Sequence, residues 1–294
     1  MIKMSPMLLG LSLALAGSSL ALAQDAPATP STPTVLQITR EYLKPYKSGA
    51  AHDKTESAFV QAQARAKFPV YYTALNSMSG KSRALFMTRY DSFADWEKAN
   101  TIVAKNPTLS NDFERAGLAD GELLDELDSV VFTYDADLSY HSRRNLEDFR
   151  YYELMVFKIK LGHRKEWHEL VKMVKDGHDK AGTSAHWGCY DLVYGGDDGT
   201  YLIITGDKSM ADIDNSFAES KKWVEAMGGE EGLNKFDRLY GEAVESSHTE
   251  LFSVNAKQSY VSEEWIKAAP DFWKPKAAAA APAKSAAKPA AAKP

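Results

Sequence analysis

Histidine is the residue type in this sequence whose placement most suggests chemistry, because its ring can bind a metal or accept a proton near neutral pH. Five of the seven histidines fall within 46 residues, between positions 141 and 186. His178 continues an apolar stripe at helical spacing, so we expect its ring to point toward the interior. The other members of that stripe are Trp167, Leu170, Val171 and Val174. Two interpretations stay open: His178 packs at the end of a helix, or it is a metal ligand.

A second candidate site begins at His186, on a strand-like segment that runs to Tyr194. Alternation along a strand places His186 and Tyr190 on one face. We expect this face to line an interior space, with these two side chains as polar anchors for a ligand and Tyr71, from a matching segment, as a wall. Simple divergence on a packed face would explain the same pattern.

Arg40 and Glu153 form a third candidate, because they occupy matching positions on two strand-like segments. They predict either a charge pair in the interior or two exposed side chains at strand ends.

The sequence contains no Walker loop, dinucleotide fingerprint, Gly-x-Ser-x-Gly elbow or His-Glu-x-x-His motif. Cys189 is the single cysteine and is expected to be a small buried hydrophobe.

The elements that must position these residues occur twice in the chain. At an offset near 117, segment 68–96 aligns without gaps with 185–213, and 132–140 aligns with 252–260 with four identities in nine positions. Each copy reads strand, helix, strand, strand, helices, strand, and Ser92 and Ser209 are the predicted N-caps of equivalent helices. We therefore interpret the chain as a tandem duplication.

This βαββαβ order is the split βαβ, ferredoxin-like unit, whose sheet is covered by helices on one face only. A second copy can cover the bare face, and in this the chain resembles the dimeric α/β-barrel superfamily. The resemblance covers roughly residues 35–260 and implies an α+β fold in which both repeats close one intramolecular barrel. It also implies haem as an alternative cofactor, with His178 or His186 as axial ligand, since haem-binding members use a histidine. Otherwise no cofactor and no metal site is predicted.

The ends of the chain predict export. Lys3, an apolar run and Ala21-Leu22-Ala23 have the three parts of a secretory signal, and the mature chain is expected to lack a transmembrane segment. The predicted organisation is a signal peptide (1–23), a linker (24–34), repeat 1 (35–140), a connector (141–150), repeat 2 (151–261), a C-terminal extension (262–273) and an Ala/Lys/Pro-rich tail (274–294). A periplasmic or secreted location follows.

Charge bears on the partners of the protein. Without the leader and the tail, 29 basic residues stand against 40 acidic ones, so nucleic acid is an unfavourable partner. The tail, with five lysines, predicts a weak electrostatic contact with an anionic envelope. The leading hypothesis is a protein that binds a small apolar or aromatic molecule in the barrel. The alternatives are a cofactor-independent oxygenase or isomerase, a haem-dependent enzyme, and an envelope scaffold or partner-binding protein.

Overall fold

The structure is a computed structural model that describes residues 34–142 and 146–274. The predicted signal peptide, all of the predicted linker except its last residue, and the predicted tail from residue 275 onward lie outside the described residues.

Repeat 1 consists of four strands and three helices. They are β1 (Val35–Leu43), α1 (Ala50–Ala66), β2 (Tyr72–Ser77), β3 (Arg83–Tyr90), α2 (Phe93–Ala104), α3 (Pro107–Gly121) and β4 (Leu124–Tyr140). A 3-10 turn (Leu146–Asp148) precedes repeat 2.

Repeat 2 has the same order of elements. They are β5 (Tyr151–Ile159), α4 (Arg164–Ala181), β6 (Trp187–Tyr194), β7 (Thr200–Asp207), α5 (Met210–Ala226), α6 (Gly229–Ala243) and β8 (Val244–Val254). Two short helices follow, α7 (Glu263–Ala268) and α8 (Pro270–Trp273). Among the described helices, none combines the length and the apolar character that a membrane span requires.

The eight strands form one closed antiparallel barrel in the order β1-β3-β2-β8-β5-β7-β6-β4. Each repeat contributes four adjacent strands, and the two sheets join through the pairs β2–β8 and β4–β6. The predicted fold class, two tandem ferredoxin-like repeats in an intramolecular α/β barrel, is confirmed.

Local sequence explains where the helices begin and how they pack. The Ser92 hydroxyl accepts a hydrogen bond from the Asp95 amide at the start of α2, and the Asp212 carboxylate accepts one from the Ser209 amide at the start of α5. Trp167, Leu170 and Val171 on α4 are buried against the sheet, which confirms the predicted apolar stripe.

The barrel interior is filled by its own side chains. All eight strands contribute to one buried cluster, which includes Leu36, Met87, Phe132, Tyr190 and Phe252. The cavity that His186 and Tyr190 line at one end of the barrel measures only about 60 Å³. Small-molecule sites usually occupy roughly 300–1,000 Å³, so this cavity is too small for the ligand that the sequence predicts inside the barrel. Large apolar residues on the inward face of every strand leave no room for one.

Candidate functional site

The large cavity lies on the other face of the sheet, under the helices of repeat 2, and has a volume of about 940 Å³. Its floor consists of outward-facing residues of β5 and β7 that stand opposite each other in the strand register, Glu153 beside Thr205 and Met155 beside Ile203. Side chains from α4, α5 and α6 form the walls: Leu170, Val171, Val174 and His178; Ser216, Glu219, Ser220 and Trp223; Phe236 and Tyr240. We call this space the repeat 2 pocket.

The sequence of α5 explains why the repeat 2 pocket exists. This helix of 17 residues buries none of its side chains. Asn215, Ser216, Glu219 and Ser220 line the pocket, although the sheet below them presents apolar residues. A polar helix face cannot close onto an apolar floor without burying unpaired polar groups, so the helix leaves the floor uncovered.

His178, near the end of α4, is held in a defined orientation in the pocket wall. Its ring lies against that of Trp223, with centroids 5.4 Å apart and planes inclined by 23°, and it meets Trp187 edge-on at 5.8 Å. Its Nδ1 lies 2.7 Å from the Thr183 hydroxyl, while Nε2 has no hydrogen bond in the described part of the chain. Burial lowers the pKa of His178, which favours the neutral ring that a metal ligand requires.

His186 borders the same pocket but uses its ring differently. Its Nε2 lies 2.8 Å from the Gly206 carbonyl oxygen, and its Nδ1 lies 3.2 Å from the Ser184 carbonyl oxygen. The ring also stacks on Phe149, with centroids 5.6 Å apart. Both nitrogens therefore face backbone acceptors, and of the two histidines His178 is better suited to bind a metal.

Carboxylates give the pocket a negative character. Burial raises the pKa of Glu153 and, with repulsion from Glu153 and Asp212, raises the pKa of Asp207 to about 6. The Oδ2 atom of Asp207 is buried without a hydrogen-bond partner. Lys208 is the single lysine or arginine among the described residues that line the pocket, and its ammonium group is 2.8 Å from Asp148.

Of the other predicted site residues, Glu153 borders the repeat 2 pocket with the two histidines, whereas Tyr190, Tyr71 and Arg40 lie elsewhere. Tyr190 lies in the barrel core, as its strand face predicts, where it packs against Tyr134. Tyr71 precedes β2, is 43% exposed, packs against Tyr260 and lines a separate cavity of about 300 Å³. It is therefore not a wall of the same site as His186.

Arg40 and Glu153 do not form the charge pair that their matching positions suggested. Arg40 follows the inward-facing Leu36 and Ile38 on β1 and pairs with Asp128 of β4 at 2.6 Å. Glu153 lies on the opposite face of the sheet, between the inward-facing Tyr152 and Leu154, and borders the repeat 2 pocket. The sequence match between Arg40 and Glu153 is therefore out of phase with the alternation of the strands, because it pairs an inward-facing position with an outward-facing one.

Sequence reasoning missed Trp223 and Asp207 as members of a site. Trp223 alone does not indicate a site in the sequence, because a tryptophan on a helix usually belongs to the hydrophobic core. The signal that could have revealed the pocket is the row Asn215, Ser216, Glu219 and Ser220, which gives α5 a polar face at helical spacing.

The closed barrel built from two βαββαβ repeats has the fold that the resemblance to the dimeric α/β-barrel superfamily implied, here within one chain. No known family profile and no curated protein sequence matches the chain. Among solved structures, an anthrone oxidase-like protein is 10% identical and has a TM-score of 0.51, with 79% of this chain and 96% of that chain covered.

Two further matches have lower scores. A mutant chlorite dismutase from Candidatus Nitrospira defluvii is 8% identical, with a TM-score of 0.45 and coverage of 76% of this chain and 93% of that chain. A haem-binding protein from Thermus thermophilus is 11% identical, with a TM-score of 0.43 and coverage of 81% and 95%.

The prediction of no cofactor, made with haem as the alternative, is corrected: chlorite dismutase and a haem-binding protein are among the solved structures to which the chain is similar. Identities this low show the fold alone. The residues of the repeat 2 pocket must therefore decide which ligand this chain takes.

Proposed function

We propose that the chain binds a flat, largely apolar ring system in the repeat 2 pocket, with His178 as its principal polar contact. The observation that carries the proposal is a cavity of about 940 Å³ whose floor and walls are mainly apolar and aromatic. This volume lies within the roughly 300–1,000 Å³ typical of small-molecule sites. Trp223 orients the His178 ring and Thr183 engages Nδ1, which leaves Nε2 to meet the ligand.

Haem is the first ligand to test, because the pocket's own residues fit its ring and its iron. Met155, Val174 and Phe236 offer an apolar surface to a macrocycle. His178 offers a neutral imidazole whose other nitrogen has a hydrogen-bond partner, as axial ligands do. When bound, haem would supply one-electron or oxygen chemistry, while the chain would hold the ring and exclude water from one side.

The apolar walls of the pocket fit the haem ring, but the negative charges of the pocket repel the haem carboxylates. Glu153, Asp207 and Glu219 line the pocket, and the lysine beside them is paired with Asp148. An anionic ligand is therefore expected to bind with its charged groups at the mouth, or at a pH where Asp207 is protonated.

The test uses two probes that differ only in iron. Purified protein is titrated with haemin and with iron-free protoporphyrin, and binding is followed by the visible spectrum and by quenching of tryptophan fluorescence. Both probes are expected to bind wild type at one per chain, and haemin more tightly. His178→Ala should remove the extra affinity for haemin and leave protoporphyrin binding within about threefold, whereas His168→Ala, at an exposed position of the same helix, should change neither.

Failure of both probes to bind folded wild-type protein would overturn the proposed binding of a flat ring. Equal binding of both probes, unchanged in His178→Ala, would retain the pocket but remove His178 as an iron ligand.

A second function, cofactor-independent oxygenation or isomerisation of an aromatic compound, is favoured by Asp207. Its carboxylate is buried with one oxygen unpartnered, and its pKa of about 6 is close to that of an efficient base at neutral pH. The similarity in fold to an anthrone oxidase-like protein makes anthrone the first substrate to try. Oxygen consumption with anthrone should fall about 100-fold in Asp207→Asn and stay unchanged in Asp214→Asn. No turnover by wild type would reject this function for anthrone.

The proposal also includes a location outside the cytoplasm. The signal-like N-terminus supports export to the periplasm or beyond, and the lysine-rich tail supports loose contact with an anionic envelope. Cell fractionation with N-terminal sequencing tests cleavage after Ala23. Salt-dependent retention on envelopes, lost when the chain is ended at Trp273, tests the tail.

A further inference from the structure

Repeat 1 contains a cluster of four buried ionisable side chains that none of the functions above uses. Glu41 lies on β1, His52 and Glu56 lie four residues apart on α1, and Asp120 lies at the end of α3. Their exposed fractions are 8%, 1%, 3% and 2%. One oxygen or ring nitrogen from each residue lies within 4.8 Å of those of the other three. We call this group the buried tetrad.

Contacts within the buried tetrad converge on one ring nitrogen. The Nε2 atom of His52 lies 2.9 Å from a Glu41 carboxylate oxygen and 3.6 Å from an Asp120 carboxylate oxygen. The Thr55 hydroxyl donates a hydrogen bond of 2.6 Å to the same Asp120 oxygen, which fixes that carboxylate in place.

Glu56 is the observation that distinguishes the tetrad from an ordinary cluster of acidic residues. Its side chain is 97% buried, and its Oε1 atom has no hydrogen-bond partner. Burial and repulsion from Glu41 and Asp120 raise its pKa to about 10. In the described part of the chain, no lysine or arginine forms an ion pair with any of the three carboxylates, and His52 is the basic partner of two of them, Glu41 and Asp120.

Buried carboxylates are normally paired with a cation or coordinated to a metal, because an uncompensated charge in the interior is costly. Three carboxylates and one imidazole form a donor set of oxygen and nitrogen that Mn²⁺, Fe²⁺ and Zn²⁺ accept, whereas Cu(I) prefers sulfur. A divalent ion at the centre would offset two negative charges and give the unpartnered Glu56 oxygen a ligand bond. We propose that the buried tetrad is a binding site for a divalent first-row transition metal ion.

Gln258, which follows β8, is the residue that would orient the imidazole ligand. It is fully buried, and its amide nitrogen lies 3.0 Å from Nδ1 of His52. Metal binding through Nε2 requires the proton on Nδ1. The Oε1 atom of Gln258, which is also buried and unpartnered, can accept this proton if the amide turns over and gives up its hydrogen bond of 3.1 Å to Asp53. The metal would thus link the segment after β8 to the helices of repeat 1.

The test is metal binding by the chelator-treated full chain, with Zn²⁺ and Mn²⁺ each added alone. Isothermal titration calorimetry and elemental analysis are expected to show one ion per chain, and the melting temperature should rise with metal concentration. Glu56→Gln keeps the shape of the side chain but removes the ligand charge, and should weaken binding more than about 100-fold. Glu126→Gln, the same change at an exposed position of β4, should bind as wild type does.

His178→Ala should also retain the metal, which separates this site from the repeat 2 pocket. If folded wild-type protein binds neither ion at one per chain, or if Glu56→Gln binds as tightly as wild type, the metal site is rejected and the tetrad is a proton-sharing structural cluster. Should Glu56→Gln fail to fold, broadening of the His52 ring signals by Mn²⁺ in wild-type protein makes the same distinction. Unbroadened His52 signals would overturn the proposal.

Discussion

The ring of His178 on α4 stacks on the ring of Trp223 on α5, with centroids 5.4 Å apart and planes inclined by 23°. Trp223 in turn donates a hydrogen bond of 3.3 Å from its indole nitrogen to the Val174 carbonyl, one turn before His178. The two helices are therefore joined at the end of the pocket where the histidine lies. This contact holds the ring in place, although α5 buries none of its own side chains.

Thr183 is expected to position His178. Thr183→Val removes the hydroxyl 2.7 Å from Nδ1 while keeping the side chain's shape, so the ring loses the hydrogen bond that fixes its tautomer. Haemin affinity should fall about 10-fold, and iron-free protoporphyrin affinity should not change. Absorption titration measures both. An equal loss for both probes would mean that Thr183 only shapes the pocket.

The charge state of Asp207 should make ligand binding depend on pH. Its pKa of about 6 means that the carboxylate becomes neutral as the pH falls through 6, which removes repulsion toward an anionic ligand. Protoporphyrin affinity should therefore rise between pH 7 and pH 5, and Asp207→Asn should flatten this dependence at the tighter value. A steep dependence that survives in Asp207→Asn would point to Glu153 or to the ligand itself.

Filling the pocket with a large side chain should stabilise the fold and, at the same time, prevent ligand binding. Ser216→Trp places an aromatic side chain in the space between α5 and the sheet, so it should raise the melting temperature and abolish binding of both porphyrin probes. Ala218→Trp, two residues further along α5 and outside the pocket lining, is the matched control and should bind normally. Differential scanning calorimetry and fluorescence quenching read the two effects.

Glu56 should give the metal-free protein a stability that declines with pH. Its pKa is about 10 in the folded chain and near 4.5 when exposed, so the folded state holds a proton that the unfolded state releases between these values. The free energy of unfolding should fall by at most about 1.4 kcal/mol per pH unit across this window. Glu56→Gln should lack this component. Urea unfolding from pH 6 to pH 9 measures it, and equal slopes in both proteins would contradict the protonated Glu56.

An ion pair across the joint between the repeats should contribute to stability. Arg83 of β3 donates both terminal nitrogens to the two carboxylate oxygens of Glu250 on β8, and both side chains are largely buried. Arg83→Met should destabilise the barrel by about 3–5 kcal/mol, because it removes the close cationic partner of the buried Glu250 charge and leaves it the His248 ring at 3.9 Å. The double variant Arg83→Met with Glu250→Leu should recover most of this loss. Urea unfolding of wild type and of the single and double variants measures these free energies in a double-mutant cycle.

Local signals in the sequence were sufficient for the order of the elements. The apolar stripe of α4, the Ser92 cap and the repeated hairpins depend on neighbouring residues, so they can be read without knowing what the rest of the chain does. The strand face that carries Tyr190 was also predictable, because alternation has a fixed period of two.

Neither the repeat 2 pocket nor the buried tetrad could be located from local sequence signals. Whether a barrel interior is filled depends on the summed volume of inward side chains from eight strands, here including Met87, Phe132 and Phe252. The buried tetrad joins Glu41 and Asp120, which are 79 residues apart in the chain and carry no mutual signal.

The sequence by itself determined two βαββαβ repeats, since periodicity and turn chemistry act over a few residues, whereas their closure into one barrel was implied only by the resemblance to the dimeric α/β-barrel superfamily. Only the tertiary structure decided that the barrel is filled, that the open space lies under the polar face of α5, and that three carboxylates meet at His52. These features depend on how side chains from distant elements share one volume and one electric field, and no local pattern encodes either.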